Sequence, residues 1–426
     1  MKLIKYPTVV QAAEALRRPA EKNYEIREKA QKIIDAVRID GDKALLEFAL
    51  KFDRVNLNEI KVSEDEFNEV EKRIDEKLCA AIDVAYKNIY KFHAAQKSEF
   101  QEIEIDEGIT CRRKSVPIEK VGLYVPGGSS PLFSTLLMLA IPAQIAGCDN
   151  IAVCSPPQKN GAVADSILYV AKRLGIKNVF KTGGAQAIAA LAFGTESVPK
   201  VFKIFGPGNQ WVTAAKQAVN SLGVAIDLPA GPSEVLVIAD DTADARFAAA
   251  DLLSQAEHGP DSQAILISTS ENFILSTASE IEKLKNRLPR KEIIDKALEN
   301  GAFILVKNIK EAIEISNNYA PEHLILSVNG ADEAAEQVVN AGSVFLGNYS
   351  PEAAGDYASG ANHTLPTSGF AKAYGGLSVK DFTKEISFQK LTPEGLNKIA
   401  KAIETMAEAE GLAAHKLAVE VRRNYD

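Results

Sequence analysis

Cysteine is scarce in this chain, and the few present do not pair by spacing. Cys79, Cys111, Cys148 and Cys154 form no C-x-x-C element, which excludes the common zinc-ribbon and thioredoxin-type sites. A disulfide framework is not expected at this size, and Cys148 and Cys154, beside the short apolar run 150–154, read as small buried side chains. Basic excess is also lacking. Lys and Arg number 49 against 57 Asp and Glu, a net charge of −8, so no nucleic-acid partner is expected. The one basic cluster, Lys283, Lys285, Arg287, Arg290 and Lys291, reads as a solvated helix end around Pro289. No long apolar run exists. The most apolar stretch, 131–148, is broken by Pro142 and Gln144 and predicts a buried helix, so no membrane partner is expected. The N-terminal segment has no apolar core or cleavage site of a secretory signal, so a cytoplasmic location is expected.

What is present is ordinary globular material: 46% apolar and 25% charged residues in 426, enough for two or three domains. Residues 1–100 read as helical. Ser63 and Glu66 have capping-box spacing, and Phe67, Val70, Ile74, Leu78, Ile82, Tyr86 and Ile89 form one amphipathic stripe after it. Alternation around Asp106-Glu107-Gly108 predicts a hairpin. From Val121 onward, short apolar runs end in Gly/Pro turns that open helices. Runs at 121–125, 151–154, 178–181 and 201–205 form one set. Runs at 235–238, 264–267, 302–306, 324–328 and 343–346 form a second, with a seam at 227–232. This pattern predicts two parallel α/β units. Such sheets bind ligands beyond the carboxyl ends of their strands, so chemistry is expected in the strand-to-helix turns. The last segment, from Thr392, reads as two helices divided at Gly411.

Four of the five histidines stand beside Gly, Pro or acidic residues. Gln255 and His258, three apart at a predicted helix end, could be half a metal site; a surface turn is the plain alternative. Glu322 and His323 pair a carboxylate with an imidazole between a helix and a strand, where a helix cap is the plain alternative. Asp356 and His363 lie in a segment, 351–366, that reads as irregular, and long irregular segments are often functional. His415 alone reads most simply as a solvated helix residue. Together, Gln255, His258, Asp356 and His415 form a mixed nitrogen/oxygen set suited to Zn²⁺, with Mn²⁺ or Co²⁺ also fitting. The glycine turns at 182–186 and 206–209 could meet an anionic ligand but do not match G-x-G-x-x-G.

In combination these segments resemble the histidinol dehydrogenase family over nearly the whole chain. The resemblance rests on VGLYVPGG, TGGAQAIAALAFGTESVP, FGPGNQWVTAAK, DLPAGPSEVLVIAD, LLSQAEHG, YAPEHL, GDYASGANHTLPT and EGLAAHK. Leu228 stands where Met is usual and Trp211 where Tyr is usual. The resemblance implies oxidation of L-histidinol to L-histidine through the aldehyde, with zinc and two NAD⁺. It implies Gln255, His258, Asp356 and His415 as zinc ligands, His323 as general base and Glu322 as activator of water. It implies Ser233, His363 and Glu410 as substrate contacts beside the ligand set, and Tyr124, Gln186 and Asn209 as the lining of the NAD site. A homodimer is implied, its C-terminal helices crossing so that His415 and Glu410 act on the partner subunit.

The fold expected is α/β: two Rossmann-like parallel-sheet domains with helical N- and C-terminal extensions. The partition expected is an arm 1–20, a larger domain of 21–120 with 233–378, an NAD-binding domain 121–232, and a C-terminal dimer-contact extension 379–426. Three rivals stand beside this reading. One is a relative that oxidises another small hydroxy compound, such as a sulfonated diol. The second is a cysteine-based aldehyde dehydrogenase with Cys148 or Cys154 as nucleophile. The last is a non-catalytic metal-binding or interaction protein.

Overall fold

A computed structural model describes residues 1–18, 23–96, 102–127, 130–228 and 231–423. Gly128 of VGLYVPGG, the seam centre 229–230, the arm-to-domain boundary 19–22 and the last three residues lie outside these. The strands in chain order begin with β1 (Lys2–Lys5), β2 (Glu102–Asp106), β3 (Ile109–Pro117), β4 (Lys120–Tyr124) and β5 (Asn150–Ser155). Then come β6 (Val179–Lys181), β7 (Lys203–Phe205), β8 (Ala225–Ile226), β9 (Glu234–Ala239) and β10 (Gln263–Ser268). The last are β11 (Ala302–Leu305), β12 (His323–Ser327), β13 (Ser343–Leu346) and β14 (Thr383–Leu391).

Two parallel sheets carry the architecture. The smaller has the order β6-β5-β4-β7-β8. The larger has the order β1-β11-β10-β9-β12-β13, all parallel. Helices cover both faces, so strands such as Glu234–Ala239 and Gln263–Ser268 are buried along their whole length. The apolar stretch at 131–148 is the helix Phe133–Ala146, hidden among the smaller sheet's helices with Pro142 inside it. Apolar residues ring this helix on every side, which fits burial rather than an amphipathic surface position.

The helices between 23 and 94 depart from the expected partition. Ala30, Ile34 and Leu45 pack with Phe180, Ile188 and Leu191, and Val70, Ile82 and Ile89 pack with Leu123 and Leu136. They therefore complete the core of the smaller sheet rather than joining 233–378. Together with the helices between its strands, they cover the apolar surface of that short sheet. The stripe expected as one helix is broken at Ile74. Glu64–Arg73 is capped by Ser63 and Glu66 as expected, and Asp75 caps a second helix, Glu76–Ala94. The stripe still faces one core, since Phe67, Ile74, Leu78 and Tyr86 pack against the same cluster.

The N-terminal arm is not wholly helical. Its first residues form β1, which extends the larger sheet beside β11. The hairpin at 106–108 pairs β2 with β3, and β14 joins it as a third antiparallel strand. The C-terminal segment thus begins with a strand before its helices Pro393–Ala409 and Ala413–Arg423. Thr392 caps the first helix, and Gly411, at φ +73°, divides the two.

Candidate active site

One cavity of about 990 Å³ lies between the two sheets. Its walls explain which turns carry function. On the smaller sheet, Tyr124, Pro156, Gly184, Gln186, Gly206, Asn209 and Asp227 line it, all at or just beyond the carboxyl ends of strands. On the larger sheet, Ser233, His258, Ser262 and Glu322 line it, all just before the amino ends of strands. The expectation that chemistry sits in strand-to-helix turns therefore holds for one sheet only. In the other, helix-to-strand connections face the cavity, because the two sheets meet carboxyl edge to amino edge.

Four distant segments build the reactive wall. His258 follows the helix Ala245–Ala256; it lies past the helix end, so it does not share a helical face with Gln255 as the spacing suggested. Asp356 lies on a short helix, Glu352–Tyr357, inside the stretch read as irregular. The four-residue step from Glu352 to Asp356 places both carboxylates on one helix face. His258, Glu352 and Asp356 hold ligand atoms within 4.8 Å of one another. This is a mixed nitrogen/oxygen set of the kind divalent zinc or manganese takes, so the residues fit a metal. Gln255 is fully buried behind them. Its amide fits with nitrogen toward Glu352, at 2.6 and 3.1 Å, and oxygen accepting the Glu234 N–H at 3.0 Å. Within one chain, then, Glu352 stands among the donors while Gln255 touches them through it. Nothing in the sequence reading singled out Glu352; its spacing to Asp356 was the available signal.

Glu322 and His323 meet at the start of β12. Both are buried, and Glu322 lines the cavity while His323 lies just behind it. The Glu234 backbone orients both. Its N–H donates to Glu322 Oε2 at 2.9 Å, and its carbonyl accepts from His323 Nδ1 at 3.1 Å. That second bond places the proton on Nδ1 and leaves Nε2 as a lone pair. Nε2 is buried without a hydrogen-bond partner, 3.8 Å from Asp356 Oδ1. Burial lowers the imidazole's pKa to about 4, so at neutral pH it is the free base. Burial, with the charges of Glu234, Asp356 and Glu352 nearby, raises the Glu322 carboxyl well above the usual range and makes its anion a strong base. Glu352 is raised in the same way, by burial first and then by Asp356. His258 opens to the cavity, and the protein packed on its other sides lowers its pKa.

His363 lines the cavity, its ring held between Asp356 O at 2.9 Å and Thr135 Oγ1 at 3.2 Å. The fifth histidine, His93, is buried. Its Nδ1 meets Ile89 O at 2.8 Å and its Nε2 meets Asn362 Nδ2 at 3.2 Å, fixing the loop that carries His363. His415 and Glu410 are exposed on the C-terminal helices and line no part of this cavity. No cysteine lines it among the described residues. Burial raises the Cys154 thiol and pushes Cys148 up to about 11, conditions opposite to those of a nucleophile.

The opposite wall joins Tyr124, Gln186 and Asn209. The Tyr124 hydroxyl accepts the Gly184 N–H at 3.3 Å, and burial pushes its pKa up to about 12. Asn209 caps the helix Gln210–Ser221 through the N–H groups of Trp211 and Val212. Gly206, at φ +124°, passes so close to the Tyr124 carbonyl that a side chain there would collide with it. A buried Lys216–Asp227 pair braces this turn: Lys216 donates to Gly206 O at 2.9 Å and Asp227 accepts the Gly206 N–H at 2.7 Å.

Asp53 also lines this wall, at the end of a π-helical turn, with one carboxylate oxygen buried and unpartnered. Burial raises its pKa from 3.8 to about 6. The unfolded chain therefore loses this proton near 3.8 while the folded chain keeps it until about 6. The resulting cost to stability appears as pH rises through that window and persists above it. Asp53→Asn is expected to raise stability at about pH 7.5 by on the order of 1–2 kcal/mol, allowing for its part-open position, and to change little below about pH 4. Thermal unfolding at the two pH values tests this; an equal gain at both would contradict it.

Parallel α/β sheets joined across one cavity, with a free imidazole base, buried carboxylates and a metal-fitting cluster facing a glycine-turn wall, define an α/β enzyme. The family described as histidinol dehydrogenase matches residues 16–423. The chain belongs to that family, whose members are enzymes of class EC 1.1.1.23 acting in histidine biosynthesis. It is 55% identical over 424 residues to the histidinol dehydrogenase of Bacteroides thetaiotaomicron, covering 100% of this chain and 99% of that one. It is 52% identical over 410 residues to that of Haemophilus influenzae, covering 96% and 95%. The crystal structure of histidinol dehydrogenase from Elizabethkingia anophelis superposes with a TM-score of 0.96 at 50% identity, over 99% of this chain and 98% of that one. An NAD-dependent aldehyde dehydrogenase from Sinorhizobium meliloti reaches a TM-score of 0.50 at 14% identity, over 90% and 86%, a likeness of fold alone.

Proposed function

We propose that the chain catalyses the zinc-dependent four-electron oxidation of L-histidinol to L-histidine through L-histidinaldehyde, with two NAD⁺, as the last step of histidine biosynthesis. One observation carries the reading. Ser233, His258, Glu322, His363 and their neighbours His323 and Asp356 converge from separate segments on one cavity, and Tyr124, Gln186 and Asn209 face them across it.

His258, Asp356 and the adjoining Gln255 and Glu352 would hold the zinc, with His415 entering from a partner subunit. A zinc ion held there would supply a positive charge to anchor the substrate and offset the carboxylates around it. Ser233, His363 and Glu410 contact the substrate beside the metal residues. His323 Nε2 takes the hydroxyl proton while hydride leaves the carbinol carbon for the nicotinamide. Aldehyde, NADH and one proton result. Glu322 draws a proton from water as it adds to the aldehyde and passes it to solvent, while the aldehyde oxygen takes the proton held on His323; the hydrate then yields its hydride to a second NAD⁺ with His323, free again, as base. The place of Glu322 on the cavity wall, beside His323, supports the assignment.

The C-terminal residues support a homodimer, because Glu410 and His415 lie off the cavity of their own chain. Ile386, Phe388, Leu391, Met406, Leu412 and Leu417 are exposed on β14 and the helices behind it, apolar surface that a second copy would cover. A cytoplasmic location belongs to the same reading and is supported by four unpaired cysteines. No helix among the described residues is long and apolar enough to cross a membrane. Complete conversion of a limiting amount of L-histidinol is expected to yield two NADH per molecule. A ratio of one would overturn the pathway, and turnover of a sulfonated diol in place of L-histidinol would overturn the substrate.

A further inference from the structure

The catalytic pair is oriented by the backbone of Glu234, and the side chain of Glu234 is itself held by the N-terminal segment. Arg18 donates to its carboxylate through Nε at 2.5 Å and Nη2 at 2.8 Å, a bidentate fork. The same Nη2 donates to the Tyr319 carbonyl at 3.0 Å, and the guanidinium lies 4.0 Å from the centre of the Tyr319 ring. Glu234 opens β9, while Tyr319 ends the helix whose next turn delivers Glu322 and His323. Arg18 thus grips both strand entries that meet at the reactive wall. Ala320, at φ +56°, is a non-glycine residue in the left-handed region between that grip and the catalytic pair.

We propose that Arg18 is a positioning residue for the reaction, acting through Glu234 to set the orientation of Glu322 and His323. The inference rests on the roles given to those two residues above. Glu234 is 2% exposed, and it also accepts the Ser368 N–H at 2.9 Å. Without Arg18 a buried carboxylate would lose its counter-charge at the residue whose N–H and carbonyl hold the two catalytic groups. Strand pairing already ties the chain's start to the larger sheet through β1 and β11. Arg18 is not needed for that attachment, which separates a positioning role from a merely structural clip.

The test is Arg18→Ala in the full-length enzyme, with L-histidinol deuterated at the carbinol carbon. A fall in kcat of about ten- to a hundredfold is expected, since small misplacements of a catalytic group cost that much. KM for L-histidinol and metal content should stay within about threefold of wild type, and the primary deuterium isotope effect should rise as hydride transfer becomes slower. Arg18→Lys should recover part of kcat, because lysine restores charge without the fork. Millimolar guanidinium should raise the kcat of Arg18→Ala. An unchanged kcat, or a loss confined to thermal stability with no change in isotope effect, would overturn the proposal. Should Arg18→Ala fail to fold, Glu234→Gln carries the same measurements, since it keeps the side chain's shape. His323→Asn is assayed in parallel. Retained turnover there would defeat the catalytic roles, whereas its loss beside a wild-type Arg18→Ala would defeat only the relay.

Discussion

His323→Asn is expected to abolish turnover while leaving metal content near that of wild type. The geometry separates the two outcomes. His323 Nδ1 is committed to the Glu234 carbonyl, and Asn can replace that donor. What Asn lacks is the Nε2 lone pair, which is buried, unpartnered and unprotonated at neutral pH. Loss of a general base commonly costs about 10²–10⁴-fold. In the proposed pathway both oxidations use the same base, so the loss would fall on each and no aldehyde should accumulate. The metal-fitting cluster is built from His258, Glu352 and Asp356, with His323 outside it at 3.8 Å from Asp356. Metal analysis of the purified variant, beside its kcat with L-histidinol, checks both halves. Loss of metal would refute the division between ligands and base. Retained turnover would refute the base itself.

The fold was largely legible because its strands are short apolar runs closed by Gly/Pro turns, a local pattern. All nine runs found between 121 and 346 are strands of the two parallel sheets. Which partner the N-terminal helices choose was not legible. An amphipathic stripe states that a face is buried but not against what, so the helices of 23–94 were grouped with the wrong sheet. The site was legible where unusual residues sit in unusual places. Glu322-His323 before a strand and His258 after a helix both reach the reactive wall. Glu352 escaped because its segment read as irregular, and the four-residue step to Asp356 has meaning only on a helix. Arg18 and Glu234 escaped for a different reason. They are 216 positions apart, and Glu234 acts partly through its backbone, which leaves no mark in side-chain chemistry.

Co-expression of His323→Asn chains with His415→Ala chains is expected to restore about a quarter of wild-type activity, although each variant alone is inactive. The argument starts from where His415 lies. It is exposed on the last helix, and neither it nor Glu410 borders the cavity of its own chain. If the C-terminal helices cross a two-fold interface, each site takes His323 from one subunit and His415 from the other. A mixed dimer then holds one site with both defects and one with neither. Random pairing makes about half the dimers mixed, each with one of two sites intact, hence the quarter. A site drawn wholly from one chain predicts no recovery, since every chain would carry its own defect. Activity in His415→Ala alone would remove that residue from the metal shell. In the isolated mixed dimer, metal should stand at about half of wild type, because only the intact site receives His415. Separating the mixed dimer with two different affinity tags and measuring its NADH output per metal bound distinguishes true reconstitution from contamination by either parent.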